Sequence, residues 1–197
     1  MNNYNIIEQS GSTRIITLDL TSKLLQDGII EINDEFTPET VSNWRNALLY
    51  LKTHITPDQS KESPIQLHIN SPGGDAYSMF GLLATIQSMQ KAGYIISTIN
   101  VGMAASAACF ILMAGSKGYR KSLQHCRAMI HTVSSASFGK IYEMVADVEE
   151  TKNIQAELDN IVSSLADERL IDKSKYLDFW MSPEMAKEYC VIDDIIK

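Results

Sequence analysis

The sequence lacks several features that would place it in a specialised class of protein. Its 17 Lys and Arg residues form no cluster and are outnumbered by 24 Asp and Glu residues. The net charge of -7 therefore gives no indication of a nucleic-acid or anionic-membrane partner. The opening stretch, MNNYNIIEQSGSTR, has no basic segment followed by an apolar block, which predicts that no secretory signal is present. These absences together predict a cytoplasmic protein.

Cysteine is scarce and metal-binding or phosphate-binding motifs are missing. The three cysteines, Cys109, Cys126 and Cys190, show no CxxC spacing, which favours reduced thiols that fill space as small apolar residues. No His, Cys or carboxylate residues have the spacing of metal ligands, so no metal site is predicted. Neither GxGxxG nor GxxxxGK[ST] is present, so no nucleotide site is predicted in this chain.

One uncharged run, residues 92–116, is long enough to cross a bilayer. Three glycines interrupt it, and its two halves differ in character. The first half, YIISTINV, is rich in residues that favour strands, whereas the second half, AASAACFILMAG, is compatible with a helix. We therefore predict a buried strand, a turn and a buried helix instead of a membrane span.

Strand-like and helix-like segments alternate along the chain without a linker or repeat, which predicts a single α/β domain over residues 1–197 with parallel strand pairing. Helices are predicted after Thr37-Pro38, after the Gly73-Gly74 pair, after Ser106, from about 138 to 165 and after Ser182-Pro183. Strands are predicted at 28–33, 65–70 and 94–101 and around GYRKSL, RAMIH and VIDDII. The polar, proline-bounded stretch 53–64 predicts a loop.

Two strand-to-helix junctions carry the residues best suited to chemistry. At the first, Gly73 and Gly74 allow positive φ and a close backbone approach, next to the free N–H groups of a helix start. At the second, Ser106 is the lone hydroxyl within VGMAASAACFILMAG. Ser106 is either a small buried residue of a core helix or a nucleophile on a tight turn. In the second case the N–H groups of Ala107 and Gly74 can form an oxyanion hole.

A serine nucleophile needs a base, and the chain offers four histidines: His54, His68, His125 and His131. The first two lie at a polar helix end and within a strand, where a solvated and a structural role are expected. His125 adjoins Cys126 in a predicted turn, which leaves a Cys–His pair open. His131 ends the apolar strand RAMIH, at a strand-to-loop boundary where functional residues are common.

The third member of a serine triad is a carboxylate that orients the histidine. With 24 acids in the chain, the residues alone do not choose among Asp172, Asp178, Asp193 and the others. Residue types therefore indicate a candidate serine and a candidate base, and they leave the acid unassigned.

Five stretches in chain order resemble one family, the proteolytic subunits of the ATP-dependent Clp protease. They are IIEQSGSTRIITLDLTSKLLQDGIIEI, LHINSPGGDAYSMFGLLATIQSM, ISTINVGMAASAACFILMAGSKGYRKSL, RAMIH and DFWMSPEMAKEYCVIDDI. The combination of NSPGG, GxAAS and the MIH strand is specific, and the resemblance covers nearly the whole chain.

The resemblance implies a ClpP/crotonase-like ββα superhelix, with an N-terminal hairpin in an axial segment at 1–20 and a protruding helical arm at about 132–167. It also implies a homo-oligomer built from a heptameric ring, with two rings stacking into a tetradecamer in the family. A hexameric AAA+ unfoldase of the Clp type docks on such rings and feeds in unfolded polypeptide substrates. ATP is used by that partner, so no cofactor is expected in this chain.

The resemblance implies a serine endopeptidase with the triad Ser106, His131 and Asp178. It places the oxyanion hole at the backbone N–H groups of Gly74 and Ala107. The substrate-binding residues that follow from it are Gly73, Met103, Thr132, Val133 and Ser134. Asp178 is chosen only because it precedes FWMSPEMAKEY where the family has its acid.

The sequence departs from the family pattern near the expected site. After His131 it reads TVSSASFGK instead of Pro-Leu-Gly-Gly, and Leu177 stands where the family has an arginine used between rings. Cys190 replaces a usual glycine and Met103 a common glutamine. The catalytic residues are retained, and the changes concern segments that the family uses for substrate pairing and ring stacking.

Three other functions stay open. A dedicated processing peptidase, for example one that matures a viral capsid, shares the fold and triad. A catalytically silent ring subunit would modulate an active partner. A crotonase-type acyl-CoA enzyme shares the fold without needing the Ser106/His131 pair.

Overall fold

The computed structural model describes residues 5–10 and 14–197, with side chains from residue 19 onward. Two antiparallel strands, β1 (Asn5–Ser10) and β2 (Arg14–Asp19), form a hairpin at the start of the chain. This pairing confirms the hairpin expected from the family resemblance. The parts of the expected axial segment at 1–4 and 11–13 lie outside the described residues.

The remaining elements follow in chain order. They are α1 (Leu20–Gln26), β3 (Ile29–Ile32), α2 (Pro38–His54), α3 (Pro57–Glu62), β4 (Ile65–Ser71), α4 (Ala76–Lys91), β5 (Ile96–Ala105), α5 (Ala107–Met113), β6 (Arg120–Leu123), β7 (Arg127–Ile130), α6 (Ile141–Leu165), α7 (Arg169–Ser174), β8 (Phe179–Met181), α8 (Pro183–Glu188) and β9 (Asp194–Ile196).

The main sheet is built around β5. Its parallel order is β3-β4-β5-β6-β9, and β7 pairs parallel with β5 and antiparallel with β8. β6 pairs with β5 at Thr98–Asn100, whereas β7 pairs with β5 at Met103–Ala105. β5 thus pairs with β6 along its first half and with β7 along its second half. The predicted α/β class with parallel pairing is confirmed.

The helices bury the faces that the spacing of their apolar residues predicts. α2 begins with a capping box at Thr37 and has Pro38 in its first turn, as the sequence predicts. α4 buries a stripe on one face, consisting of Met79, Leu82, Leu83, Ile86 and Met89. All seven residues of α5 are buried, which explains why that segment carries no polar side chain.

The uncharged run at 92–116 divides into β5, a turn at Ser106 and α5, as predicted. β5 continues to Ala105, four residues beyond the predicted strand end, and thus reaches Ser106 directly. None of the helices that the structure describes is both long and apolar enough to cross a membrane.

The prediction of a loop at 53–64 is wrong for its middle part, because Pro57–Glu62 form the short helix α3. Its composition is polar, but Thr56 and Gln59 form a capping box and Pro57 occupies the first turn. Two further short elements, α7 and β8, were not predicted, because six and three residues give too little periodicity to detect. The long helix begins at Ile141, close to the expected start near 138.

Candidate active site

Ser106 occupies the turn between β5 and α5 in a strained backbone conformation. Its φ of 53° and ψ of -124° lie in a region that non-glycine residues rarely adopt. Its N–H donates to the carbonyl of Met129 on β7 at 2.9 Å, which holds the turn from one side. A strained serine held between a buried strand and a buried helix is typical of a nucleophile turn.

The Gly73-Gly74 turn packs directly against the Ser106 turn. A Cβ atom at Gly73 would lie 2.7 Å from the Ser106 Cβ and 2.9 Å from the Ala107 nitrogen. Both glycines have positive φ, 94° at Gly73 and 144° at Gly74, so each needs the absence of a side chain for conformation as well as for space. The two strand-to-helix junctions singled out in the sequence therefore meet in the fold.

Two backbone hydrogen bonds to Phe36 hold the Gly73-Gly74 turn in place. The Phe36 N–H donates to the Gly73 carbonyl at 2.7 Å, and the Phe36 carbonyl accepts the Asp75 N–H at 2.8 Å. Within the described part of the chain, no backbone or side-chain acceptor takes the N–H of Gly74 or of Ala107. Two donors on adjacent, rigid turns are thus left available beside the serine.

His131 follows β7 and contacts the serine. Its Nε2 lies 2.8 Å from the Ser106 Oγ. The geometry follows from the sheet, because β7 pairs with β5 at Ala105↔Met129, one residue before Ser106 and two before His131. The fold therefore brings His131, the histidine favoured by its place at a strand end, next to Ser106.

Asp178 reaches the other ring nitrogen of His131 across an antiparallel strand pair. The last pair of that ladder is Ile130↔Phe179, so the chain neighbours His131 and Asp178 face each other just beyond it. The Asp178 Oδ1 lies 3.3 Å from the His131 Nδ1, and the aspartate side chain is 58% exposed. Pairing of the short strand β8 with β7 thus brings Asp178, one of the acids that the residues alone left open, beside His131.

The other acids that the sequence left open have different surroundings. Asp193 pairs with the buried Arg120, with 2.6 Å between Oδ1 and Nη2. Burial by itself would raise the pKa of Asp193, but hydrogen bonds from Arg120 and from the Gly118 N–H hold that pKa below its usual value. Asp172 is exposed in the first turn of α7.

The remaining histidines lie away from the serine. His54 is exposed and bonds to the Tyr50 carbonyl, and the half-buried His68 bonds to Gln66. Burial lowers the pKa of His68.

The Cys–His alternative is not supported by the surroundings of Cys126. Burial raises the pKa of this thiol, and hydrogen bonds to its sulfur from Ser122 and the Leu123 backbone offset that shift only in part. A raised thiol pKa opposes formation of the thiolate nucleophile that such a pair would need.

A cavity of about 470 Å³ opens beside Ser106 and His131. The residues expected from sequence that line it are Gly74, Ser106, Ala107, His131, Val133 and Ser134. Four other expected residues do not line it: Gly73, Met103, Thr132 and Asp178. Gly73 packs against Ser106 and Ala107. Met103 lies in β5, where its N–H donates to the Asn70 Oδ1.

The far wall of the cavity comes from α4 and α6, whose contribution was not predicted. Tyr77 lines it from α4, and Thr151, Ile154 and Leu158 line it from α6. The apolar spacing of α6 predicted a buried face but not its neighbour. That neighbour depends on how residues 132–140 run across the helix, which the sequence pattern does not indicate.

The segment after His131 is bonded to one face of α6. The Val133 N–H donates to Gln155 at 2.8 Å, the Ser135 and Thr151 hydroxyls lie 3.0 Å apart, and Ser137 donates to Asp147. Alternate residues of the segment thus meet every fourth residue of the helix. The spacings match, because two extended residues span about 6.6 Å and four helical residues about 6 Å.

Over the part of the chain whose side chains are described, no three His, Cys, Asp or Glu residues come together as metal ligands would. The site instead consists of a hydroxyl, an imidazole, a carboxylate and two free N–H groups around a cavity.

Comparison with known proteins gives one consistent result. The family model described as Clp protease matches residues 11–197. The ATP-dependent Clp protease proteolytic subunit 1 of Prochlorococcus marinus subsp. pastoris is 33% identical over 193 residues, which cover 97% of this chain and 94% of the relative. The ATP-dependent Clp protease proteolytic subunit of Porphyromonas gingivalis is 34% identical over 194 residues, covering 98% and 83%. That of Bacteroides fragilis is 33% identical over 186 residues, covering 92% and 85%.

Proposed function

This chain belongs to the Clp protease family, and from that premise we propose that it is the proteolytic subunit of an ATP-dependent Clp protease, with Ser106 as its nucleophile. The observation that carries the proposal is the 2.8 Å contact between the Ser106 Oγ and the His131 Nε2 at the edge of a substrate-sized cavity. A crotonase-type acyl-CoA enzyme would not need this contact.

In the proposed reaction, His131 takes the Ser106 proton as the serine oxygen attacks the peptide carbonyl carbon. The negative charge that develops on the carbonyl oxygen is held by the N–H groups of Gly74 and Ala107. His131 then gives the proton to the leaving amine, and water hydrolyses the acyl-enzyme by the same route in reverse. Asp178 keeps the Nδ1 of His131 protonated, so that Nε2 can accept the serine proton.

The segment after His131 is proposed to pair with the substrate backbone. Successive N–H groups of an extended chain point to opposite sides. Because the Val133 N–H is directed to Gln155 on α6, the backbone groups of Thr132 and Ser134 face away from that helix. This alternation supports the assignment of Thr132, Val133 and Ser134 as substrate-binding residues, with the side chain before the cleaved bond entering the cavity.

Self-assembly is proposed from the exposed apolar side chains of the helical arm. Phe138 is 92% exposed, and Ile141 and Tyr142 in the first turn of α6 are also largely exposed. Large apolar side chains grouped at one end of a helix are typical of a surface that a partner covers. We propose that another copy covers it, within a heptameric ring that can stack into a tetradecamer.

The names of the relatives support the proposal of an ATP-dependent partner. Because they are called subunits of an ATP-dependent protease, we propose that a hexameric AAA+ unfoldase feeds unfolded polypeptides to this chain in the cytoplasm. ATP is then consumed by the unfoldase, and this chain itself works without a cofactor.

The test is degradation of an unstructured protein by the assembled chain with its Clp-type unfoldase, with and without ATP. The proposal predicts ATP-dependent release of small peptides, which Ser106→Ala abolishes while native mass spectrometry shows an unchanged assembly. If the native chain assembles with the unfoldase and releases no peptides, the proposal is wrong and the catalytically silent subunit is the correct function.

A further inference from the structure

Acidic side chains are concentrated at the open rim of the cavity beside Ser106. Asp75 lines the cavity at the start of α4, and Tyr77 lines it two residues later. The Tyr77 hydroxyl donates to the Glu150 Oε1 at 2.8 Å, which connects α4 to α6 across the rim. Apart from His131, no basic side chain lines the cavity in the part of the chain whose side chains are described.

The two carboxylates act on the same phenol. The hydrogen bond to Glu150 raises the pKa of Tyr77, and the charges of Glu150 and Asp75 raise it further. Both carboxylates therefore lie within electrostatic reach of Tyr77, whose ring forms part of the cavity wall. A negative potential at the rim follows, since none of the Lys and Arg side chains that the structure describes lines the cavity.

The floor of the cavity has a different character. Met79, Phe110 and Leu158 line it and are almost completely buried. An apolar side chain that enters the cavity replaces water on this floor, which is favourable by roughly 25 cal/mol for each Å² of apolar surface covered. The cavity thus combines an apolar floor with an acidic rim.

We propose that Asp75, Tyr77 and Glu150, the acidic rim, select the substrate side chain that precedes the cleaved bond; this inference rests on the function proposed above. An acidic side chain would lose water and meet two carboxylates with no cation to pair with, so the rim excludes it. An apolar side chain fills the floor. A Lys or Arg side chain lays its methylene groups on the floor and places its charge at the rim.

The test uses three fluorogenic peptides that differ only in having Met, Lys or Glu before the cleaved bond. The inference predicts that the assembled chain cleaves the Met and Lys peptides with similar kcat/KM and the Glu peptide at least about tenfold more slowly. Glu150→Gln raises kcat/KM for the Glu peptide relative to the Met peptide by about threefold at low salt, and the gain shrinks at high salt.

Two further variants test whether the charge at the rim causes the effect. Adding Asp75→Asn to Glu150→Gln removes the second charge while Asn still caps α4, so discrimination against the Glu peptide falls further. Glu149→Gln is the matched control, because Glu149 lies next to Glu150 but pairs with Lys152 at 2.9 Å. It removes the same charge without touching the rim and leaves the Glu-to-Met ratio unchanged.

The outcomes separate this inference from the proposed function. If the Met and Glu peptides are cleaved equally, or if Glu149→Gln changes the Glu-to-Met ratio as much as Glu150→Gln does, the rim does not select the substrate side chain. This result overturns the inference and leaves the proposed function standing. If no peptide is cleaved, Ser106 is labelled with diphenyl phosphonates that carry the same three side chains, and the three labelling rates are compared. Equal rates overturn the inference, and the absence of any labelling overturns the proposed function together with it.

Discussion

Ser106 lies between a ten-residue strand and a wholly buried helix, whereas Asp178 precedes a three-residue strand and is 58% exposed. The nucleophile side of the site is held by backbone contacts to Gly73 and Met129. Asp178 is placed by the short β7–β8 pairing, and its exposed carboxylate lies 3.3 Å from the His131 Nδ1. Ser106 and Asp178 thus differ in how rigidly the fold holds them, and under the proposed function we predict that they differ in their contribution to catalysis.

The largest loss is expected at the residue that joins the two sides. Replacing His131 with Ala removes the base 2.8 Å from the Ser106 Oγ, so kcat/KM for a cleavable peptide falls by roughly a thousandfold or more. The measurement is steady-state peptide hydrolysis, with circular dichroism and native mass as checks of folding and assembly. An active, assembled His131→Ala protein would show that Ser106 is not activated by this histidine.

The rigidity of the nucleophile side is tested at Gly73. Replacing it with Ala puts a Cβ atom 2.6 Å from the Ala105 carbonyl oxygen and 2.9 Å from the Ala107 nitrogen, so the serine turn must shift. We expect a loss of roughly a hundredfold to a thousandfold in kcat, the range typical of losing an oxyanion donor.

Gly118 provides the matched control for Gly73. Its φ of 87° is close to the 94° of Gly73, but a Cβ atom there meets nothing within 4 Å. Gly118→Ala therefore carries the same backbone strain without the clash, and its activity stays close to that of the native protein. Equal losses in the two variants would show that strain, and not contact with the serine turn, causes the effect.

A smaller loss is expected on the acid side. Asp178→Asn removes the charge beside the His131 Nδ1, but water also reaches this exposed position. We expect kcat to fall by roughly 10- to 100-fold, well below the approximately 10,000-fold loss typical of a buried triad aspartate. Asp172→Asn, an exposed acid on the nearby helix α7, is the control and leaves kcat unchanged. A ten-thousandfold loss for Asp178→Asn would contradict the expected difference between Asp178 and Ser106 and indicate that assembly buries this carboxylate.

The smallest loss is expected where the segment after His131 meets α6. Thr151→Val removes the hydroxyl 3.0 Å from that of Ser135 while keeping the shape of the side chain. Loss of one exposed hydrogen bond is expected to raise KM by roughly twofold to fivefold with kcat little changed. Thr53→Val, which alters an exposed threonine at the end of α2, is the control. A fall in kcat with unchanged KM would show that this segment positions His131 instead of substrate.

The same contrast explains how much of the site the sequence predicts. Ser106, His131 and the Gly73-Gly74 pair each lie at the end of a strand with a clear apolar pattern, so their position at one edge of a parallel sheet could be predicted. Asp178 could not be chosen from residue types, because its position depends on the three-residue strand β8 and its pairing with β7. Only the resemblance to the family singled out Asp178 from the sequence.

The cavity wall was the least predictable part. Tyr77 and Glu150 are 73 positions apart in the chain, and their contact depends on how residues 132–140 place α6 above α4. The short helix α3 was missed for a different reason, since its capping box lies within a polar stretch that resembles a loop. Local pattern thus predicts the strands and the turn at Ser106, whereas long-range packing determines which carboxylate lies beside His131 and which side chains line the cavity.

The most direct test of the account is covalent labelling of Ser106 by a fluorophosphonate, measured by intact-protein mass on the assembled native chain, Ser106→Ala and His131→Ala. The account predicts one adduct per chain on the native protein, none on Ser106→Ala and none on His131→Ala over the same time. An unlabelled native protein with confirmed assembly would contradict the account, and so would an adduct that persists in Ser106→Ala.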